Sequence, residues 1–209
     1  VSEIKPEIGL PNPIISITTE NASAVQENRR QINQAISDKP EKLLENIRSG
    51  DRELPKVSYT HTIQVAYEDC IEIQEWRIAA GLFADENGEI LKITEIMVNQ
   101  KEKAFPWASC AARITVNRNG SVVDDKVEGQ AYCLLPLRIL TGLPVHINGV
   151  FDLDESRKML TSGDMRGGDE NRVKWNKLLV KHCVSRAYAG LIKYLAEDLG
   201  EENIRKYYD

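Results

Sequence analysis

Residues 129–157 read GQAYCLLPLRILTGLPVHINGVFDLDESR, and the fold turns on them. Two apolar segments, 131–137 and 145–153, flank Thr141-Gly142-Leu143-Pro144. Tyr132, Leu134 and Leu135 in the first, and Val145, Ile147, Val150 and Phe151 in the second, are strand-forming in content. Gly and Pro between two such runs predict a hairpin or a tight connection. His146 and Asn148 alternate with Val145, Ile147 and Gly149, so one face of the second strand is polar. That face and the corner from Asp154 to Arg157 are the first places to look for a contact.

Outward from this stretch the pattern is a run of strands. Residues 57–67 alternate with period two, with Val57, Tyr59, His61, Ile63, Val65 and Tyr67 on one side. Residues 70–83 and 108–116 read as strands, and 90–99 as a strand or a short helix. After residue 157 comes a Gly-rich polar loop over 161–170. Asn171 is then placed as the cap of a long helix running to about residue 196, striped by Trp175, Leu178, Leu179, Cys183, Ala187, Leu191 and Leu195 and stopped by Gly200. Before the strands, residues 1–13 carry three prolines and read as an extended lead-in. A short strand is expected at 14–18, and helical content from 21 to 48 is interrupted at Lys39-Pro40. Its second part carries Leu43, Leu44 and Ile47 and ends at Ser49-Gly50. The apolar face of this arm, Val25, Ile32 and Ile36, is thin, which predicts weak packing or a partner elsewhere. The expected organisation is a helical or extended arm over 1–52 and an α+β domain over 53–209. That domain has a mostly antiparallel sheet covered by the long C-terminal helix.

Composition excludes several classes. With 27 basic against 32 acidic side chains the net charge is −5, so nucleic acid is not an expected partner. No apolar run reaches the roughly 20 residues that span a bilayer. The opening VSEIKPEIGL is neither basic nor apolar, so it is not a signal peptide, and without Met it reads as part of a longer or processed chain. Cys70, Cys110, Cys133 and Cys183 are widely spaced with no CxxC pair, which predicts buried structural thiols, no metal site, and a reducing, cytoplasmic setting. The sequons at Asn21 and Asn119 are discounted for the same reason.

The motifs of common chemistries are missing: no P-loop, nucleotide-binding glycine fingerprint, HExxH or nucleophile elbow. GDMRGGD lacks the Lys-Ser/Thr of a phosphate loop. The acid pairs Glu68/Asp69, Asp124/Asp125 and Asp152/Asp154 suit surface turns, and Asp152 with Asp154 offers too few oxygens for a hard cation. His146 and Asn148 read either as a satisfied structural pair or as a polar contact face. Arg157 reads either as a contact to phosphate or carboxylate or as an ion pair with Asp154. Trp76, Trp107 and Trp175 are expected as core anchors, and His61 and His182 as packing residues.

The central stretch also carries a resemblance. Gly129-Gln-Ala-Tyr-Cys-Leu-Leu-Pro-Leu, then Thr141-Gly-Leu-Pro-Val-His-Ile-Asn-Gly-Val-Phe-Asp-Leu, then Glu155-Ser-Arg157, is similar to the sacsin repeat. Trp175-Asn176 with Leu179, the pair Ala187-Tyr188, and upstream Trp76 and Pro106-Trp-Ala-Ser-Cys-Ala-Ala-Arg-Ile114 fit the same order. The resemblance covers about 76–195. It implies the portion that follows an ATPase domain of the ninety-kilodalton heat-shock-chaperone type, with a fold like that chaperone's middle domain. It further implies a module that does not hydrolyse ATP itself and binds no cofactor, ATP with Mg being held by the neighbouring domain of a full-length ATPase. The partners implied are that domain, protein clients or co-chaperones, with self-association left open and no membrane. A middle-domain Arg that reaches the terminal phosphate is implied too. Arg157 is the candidate, with Arg138 second, while His146, Asn148 and Asp154 form the candidate polar contact face. After Arg157 the chain has Lys158-Met-Leu where the family often has an Arg- or Trp-rich segment. The alternative from another class is a regulatory or scaffold module of a multidomain protein, such as one attached to a nuclease or helicase.

Overall fold

A computed structural model of the chain describes residues 15–19, 21–37, 44, 45, 48, 54–67, 70–116, 122–123, 127–161 and 170–208. The lead-in, the break at Lys39-Pro40, most of the second helical segment, the acid pairs 68/69 and 124/125, and nearly all of the Gly-rich loop lie outside these residues. Among these residues eight strands, β1 (Ile15–Thr19), β2 (Lys56–Tyr67), β3 (Cys70–Leu82), β4 (Trp107–Val116), β5 (Val122–Val123), β6 (Gln130–Cys133), β7 (Leu135–Leu140) and β8 (His146–Gly149), form one sheet. Its order is β1-β2-β3-β4-β8-β6-β7, with β5 beside β4. All pairs are antiparallel except β6 with β8, which is parallel. The architecture is therefore α+β with a mostly antiparallel sheet and a long C-terminal helix.

The long alternating segments become the two longest strands, paired from Lys56↔Gly81 to Tyr67↔Cys70. Period two sends neighbours to opposite faces, and the contacts confirm it. The Tyr59 hydroxyl accepts from Arg29 Nε of helix α1 (Ala22–Ser37), whereas Thr60 Oγ1 lies 3.0 Å from the Tyr194 hydroxyl of the C-terminal helix. Asn21 Nδ2 donates to Thr60 O, and Asn21 Oδ1 accepts from Thr62 N–H, so the start of α1 is tied to β2. The thin stripe suffices for this one-sided contact: Val25 and Ile32 are buried. The segment at 90–99, ambiguous in sequence, is helix α2 (Glu89–Asn99), burying Ile90, Ile93, Thr94 and Met97.

The C-terminal helix spans 170–199 as α3 (Glu170–Leu178), a π-helical turn (Leu179–Val184) and α4 (Ser185–Leu199), ending at Gly200. It begins one residue before Asn171, which therefore sits inside the helix and does not cap it. Ala79, Ala108, Cys110 and Ala112 on the facing sheet are buried in one cluster with Trp175, Leu179, Cys183, Ala187, Leu191 and Leu195. These small side chains let the helix lie close to the sheet, the condition for interior packing density. Arg77, buried on β3, anchors the helix end through Asp198 at 2.7 Å and also reaches Glu75 at 3.2 Å. No helix among the described residues is long and apolar enough to cross a membrane.

Candidate functional site

The central stretch differs from the expected hairpin in two ways. The first apolar segment is not one strand: it folds back at Leu134, which has a left-handed φ of 64°, so that Cys133 pairs with Leu135. The Thr141-Gly-Leu-Pro segment then joins no hairpin. It carries the chain from β7 past the end of β6, so that β8 lies parallel to β6 on its other side, and β8 spans only His146–Gly149. Thr141 holds the crossing in place, its Oγ1 donating toward Leu143 O and Val145 O, both at 2.9 Å, and accepting from Leu143 N–H. Gly142 takes a φ of 72°, which glycine adopts without strain. Gly129 lies directly beneath. Its N–H donates to Leu143 O, its carbonyl accepts from Thr141 N–H, and a Cβ there would clash with Leu143 O, Val145 O and Thr141 Oγ1.

His146 and Asn148 do share a face, turned away from the C-terminal helix. The His146 ring stacks on Trp76 with centroids 5.3 Å apart and meets Tyr132 edge-on at 5.4 Å. Its Nδ1 accepts from Gln130 N–H at 3.0 Å, which places the proton of the neutral ring on Nε2. Burial pushes its pKa below the ordinary 6.5. Asn148 Oδ1 accepts from Leu134 N–H at 3.4 Å, bracing the fold-back. Each side chain thus holds the backbone through one polar atom, His146 through Nδ1 and Asn148 through Oδ1.

Beyond β8 the chain is clasped to α3. Trp175, fully buried, donates from Nε1 to Val150 O at 2.8 Å. Asn176 treats Asp152 as a strand would: Oδ1 accepts from Asp152 N–H and Nδ2 donates to Asp152 O, both at 2.8 Å. The Asp152 carboxylate takes Arg172 Nε at 2.8 Å and the Thr161 hydroxyl at 2.5 Å. Asp152 is thereby tied through Oδ1 to two other elements.

Asp154 organises the corner. Its carboxylate accepts from Ser156 Oγ at 2.8 and 2.9 Å and from Lys158 and Met159 N–H at 3.2 and 3.3 Å. These bonds, Ser156 first, hold its pKa below the ordinary value. The expected Asp154–Arg157 ion pair is absent among the described residues. Instead Arg157 donates its N–H to Asp154 O, takes a left-handed φ of 56°, and exposes its guanidinium. Arg138 on β7 is also exposed, and its N–H donates to Lys158 O at 2.9 Å. That backbone bond sets Arg138 beside the residue that follows Arg157, and among the described residues no carboxylate pairs with Arg138, Arg157 or Lys158.

The remaining expectations divide. Trp175 is a core anchor, whereas Trp76 and Trp107 are half-buried. His61 Nε2 lies 3.5 Å from Thr19 Oγ1, and burial, then the charge of Arg29, lowers its pKa. His182 is more than packing: its Nε2 lies 3.4 Å from Glu89 Oε2. Cys110, Cys133 and Cys183 are free thiols, and burial raises Cys110 and Cys183 to about 12, which makes them unreactive. The Asp152 clasp was missed in sequence. Its one signal was the Trp-Asn pair at the start of the helix, where a polar residue follows a buried one.

Comparison with known proteins agrees with the central motifs. The chain is 26% identical to human sacsin over 160 residues, which is 77% of this chain and 3% of sacsin. It carries a sacsin-like segment and spans a small fraction of the protein it matches. No family model matches, and no solved structure matches.

Proposed function

We propose that the chain is a non-catalytic module of a sacsin-like, ATP-dependent chaperone of the cytoplasm, coupling a neighbouring ATPase domain to client or partner binding. On this reading its sheet and covering helix correspond to the chaperone's middle domain. The observation that carries the proposal is the corner of Arg138, Arg157 and Lys158. The two arginines come from separate elements, and the bond from Arg138 N–H to Lys158 O sets Arg138 beside the residue that follows Arg157. Asp154 fixes the turn under Arg157 while leaving its side chain exposed. An exposed guanidinium on a fixed backbone suits the terminal phosphate of a nucleotide held by another domain, because planar donors match phosphate oxygens and charge assistance roughly doubles each bond. ATP and Mg belong to that other domain.

The test joins this chain to its ATPase domain and measures ATP turnover. Arg157→Ala is expected to slow turnover at least about tenfold, a small part of what a phosphate-contacting Arg supplies elsewhere. Arg138→Ala should slow it less, and the isolated chain should show none. Turnover unchanged by Arg157→Ala ends the assignment.

A further inference from the structure

Asp85, Glu89 and His182 lie outside the corner and take no part in it. Asp85 starts α2: its Oδ2 accepts from Glu89 N–H and its Oδ1 from Ile90 N–H, both at 2.8 Å. Glu89 follows four residues later and stands over the same turn. His182 arrives from the π-helical turn, a rare geometry that often marks functional positions. Its Nε2 is buried and lies 3.4 Å from Glu89 Oε2. One ligand atom from each of the three residues falls within 4.8 Å of the others. Donors around a tetrahedral first-row divalent ion bond at about 2.0–2.2 Å and so lie about 3.4 Å from one another, the separation at which His182 Nε2 and Glu89 Oε2 already stand.

We propose that Asp85, Glu89 and His182 bind a divalent transition metal of the zinc class, fixing the π-helical turn to the start of α2. One imidazole and two carboxylates form a borderline donor set, suited to zinc or cobalt. Calcium and magnesium want more oxygens than the three residues supply. Three protein ligands leave a fourth position for water. The Asp85 oxygens keep lone pairs beyond those used by the two N–H groups. Two cations compete. Lys181 Nζ donates to Glu89 Oε2 at 3.2 Å, and Arg186 reaches Ala84 O close by. An incoming ion must displace Lys181, so the affinity expected is only micromolar.

The experiment is calorimetric titration of the chain with Zn²⁺, repeated with Co²⁺ while following its absorption. One ion per chain is expected, with a cobalt spectrum free of thiolate charge transfer. Glu89→Gln and His182→Gln should each weaken binding at least about tenfold, since even outer-shell partners of a metal are worth roughly 10–100-fold. Lys181→Met should tighten it. The Glu89 side chain is 42% exposed, so Glu89→Gln keeps the test decisive if His182→Gln does not fold. Absence of binding at about 1 mM Zn²⁺, or binding that both variants leave unchanged, overturns the site. So does binding abolished by alkylating the thiols, which would assign the ion to cysteines.

Discussion

Residues 150–152 and residues 154–157 adjoin in the chain and are built on opposite terms. The first group turns its backbone inward: Val150 O and both backbone groups of Asp152 bond to side chains of α3, Trp175 and Asn176. The second keeps its bonds within its own turn, with Asp154 satisfying the local N–H groups. It sends Arg157 outward. A carboxylate appears in each, yet one joins two distant elements and the other only shapes a loop. Similarity to a longer protein runs through both, so a matched motif does not by itself separate what holds the fold from what touches a partner. The hydrogen-bond pattern does.

The inward side should break hardest. Gly129→Ala puts a methyl group where Leu143 O, Val145 O and Thr141 Oγ1 already converge. Backbone oxygens cannot swing aside as a flexible side chain would, so the crossing must lift and β8 loses its place beside β6. The expected loss exceeds about 4 kcal/mol, in the range reserved for severe backbone or core damage. Denaturant unfolding of the variant measures it, and a loss below about 1 kcal/mol would show that the crossing relaxes cheaply.

The clasp separates into an apolar and a polar part. Trp175→Ala removes a fully buried ring and is expected to cost about 3–5 kcal/mol. Asn176→Ala removes less volume but leaves Asp152 N–H unpaired, while Asp152 O keeps the bond from Thr161 N–H. At about 1–3 kcal/mol for a buried orphan, reduced where water enters, the expected cost is about 1–2 kcal/mol. The two should couple, because both hold the same three residues of chain. A double variant whose loss equals the sum of the singles would mean that the Trp175 and Asn176 bonds act independently.

Part of this contrast was legible in the sequence. The long alternation at 57–67 gave its strand because both faces are partly covered, and the helical stripe gave its helix because Trp175, Leu191 and Leu195 repeat at helical spacing. Two things hid the topology of the central stretch. Gly142 and Pro144 are strong turn signals and drew the reversal to themselves, whereas the actual reversal sits at Leu134, a residue type that rarely takes a left-handed φ. A crossing and a hairpin also use the same local residues, and they differ only in which neighbour the next strand finds. Both arginines of the corner could be picked out as exposed cations. That β7 runs beside the corner depends on the bond from Arg138 N–H to Lys158 O, twenty residues apart, which no local pattern encodes. The same holds for Asp152 with Asn176 and for Glu89 with His182.

His146 gives a pH test of the inward side. Burial lowers its native pKa below the ordinary 6.5 of an unfolded chain. The unfolded state therefore binds more protons just below that value. Stability from this group is complete above about pH 6.5 and is lost as pH falls through the lowered native value. His61, shifted the same way, adds to the slope. Unfolding midpoints measured from pH 7.5 down to 5 should therefore decline, and His146→Gln should flatten part of that decline. An unchanged slope in the variant would assign the whole effect to other groups.

The smallest expected stability change belongs to Arg157, and its smallness is the informative part. The side chain is exposed and pairs with no carboxylate among the described residues, while its backbone sits at a φ of 56° that Arg tolerates poorly. Arg157→Ala should move stability by no more than about 0.5 kcal/mol, the usual range for surface substitutions. Arg157→Gly should stabilise slightly, by up to about 1 kcal/mol, because glycine relieves the left-handed strain, although its freer unfolded chain offsets part of the gain. If instead Arg157→Ala lowers stability by about 2 kcal/mol or more, the side chain has a structural partner. The corner would then belong with the clasp, and the distinction between the two halves of the stretch would collapse.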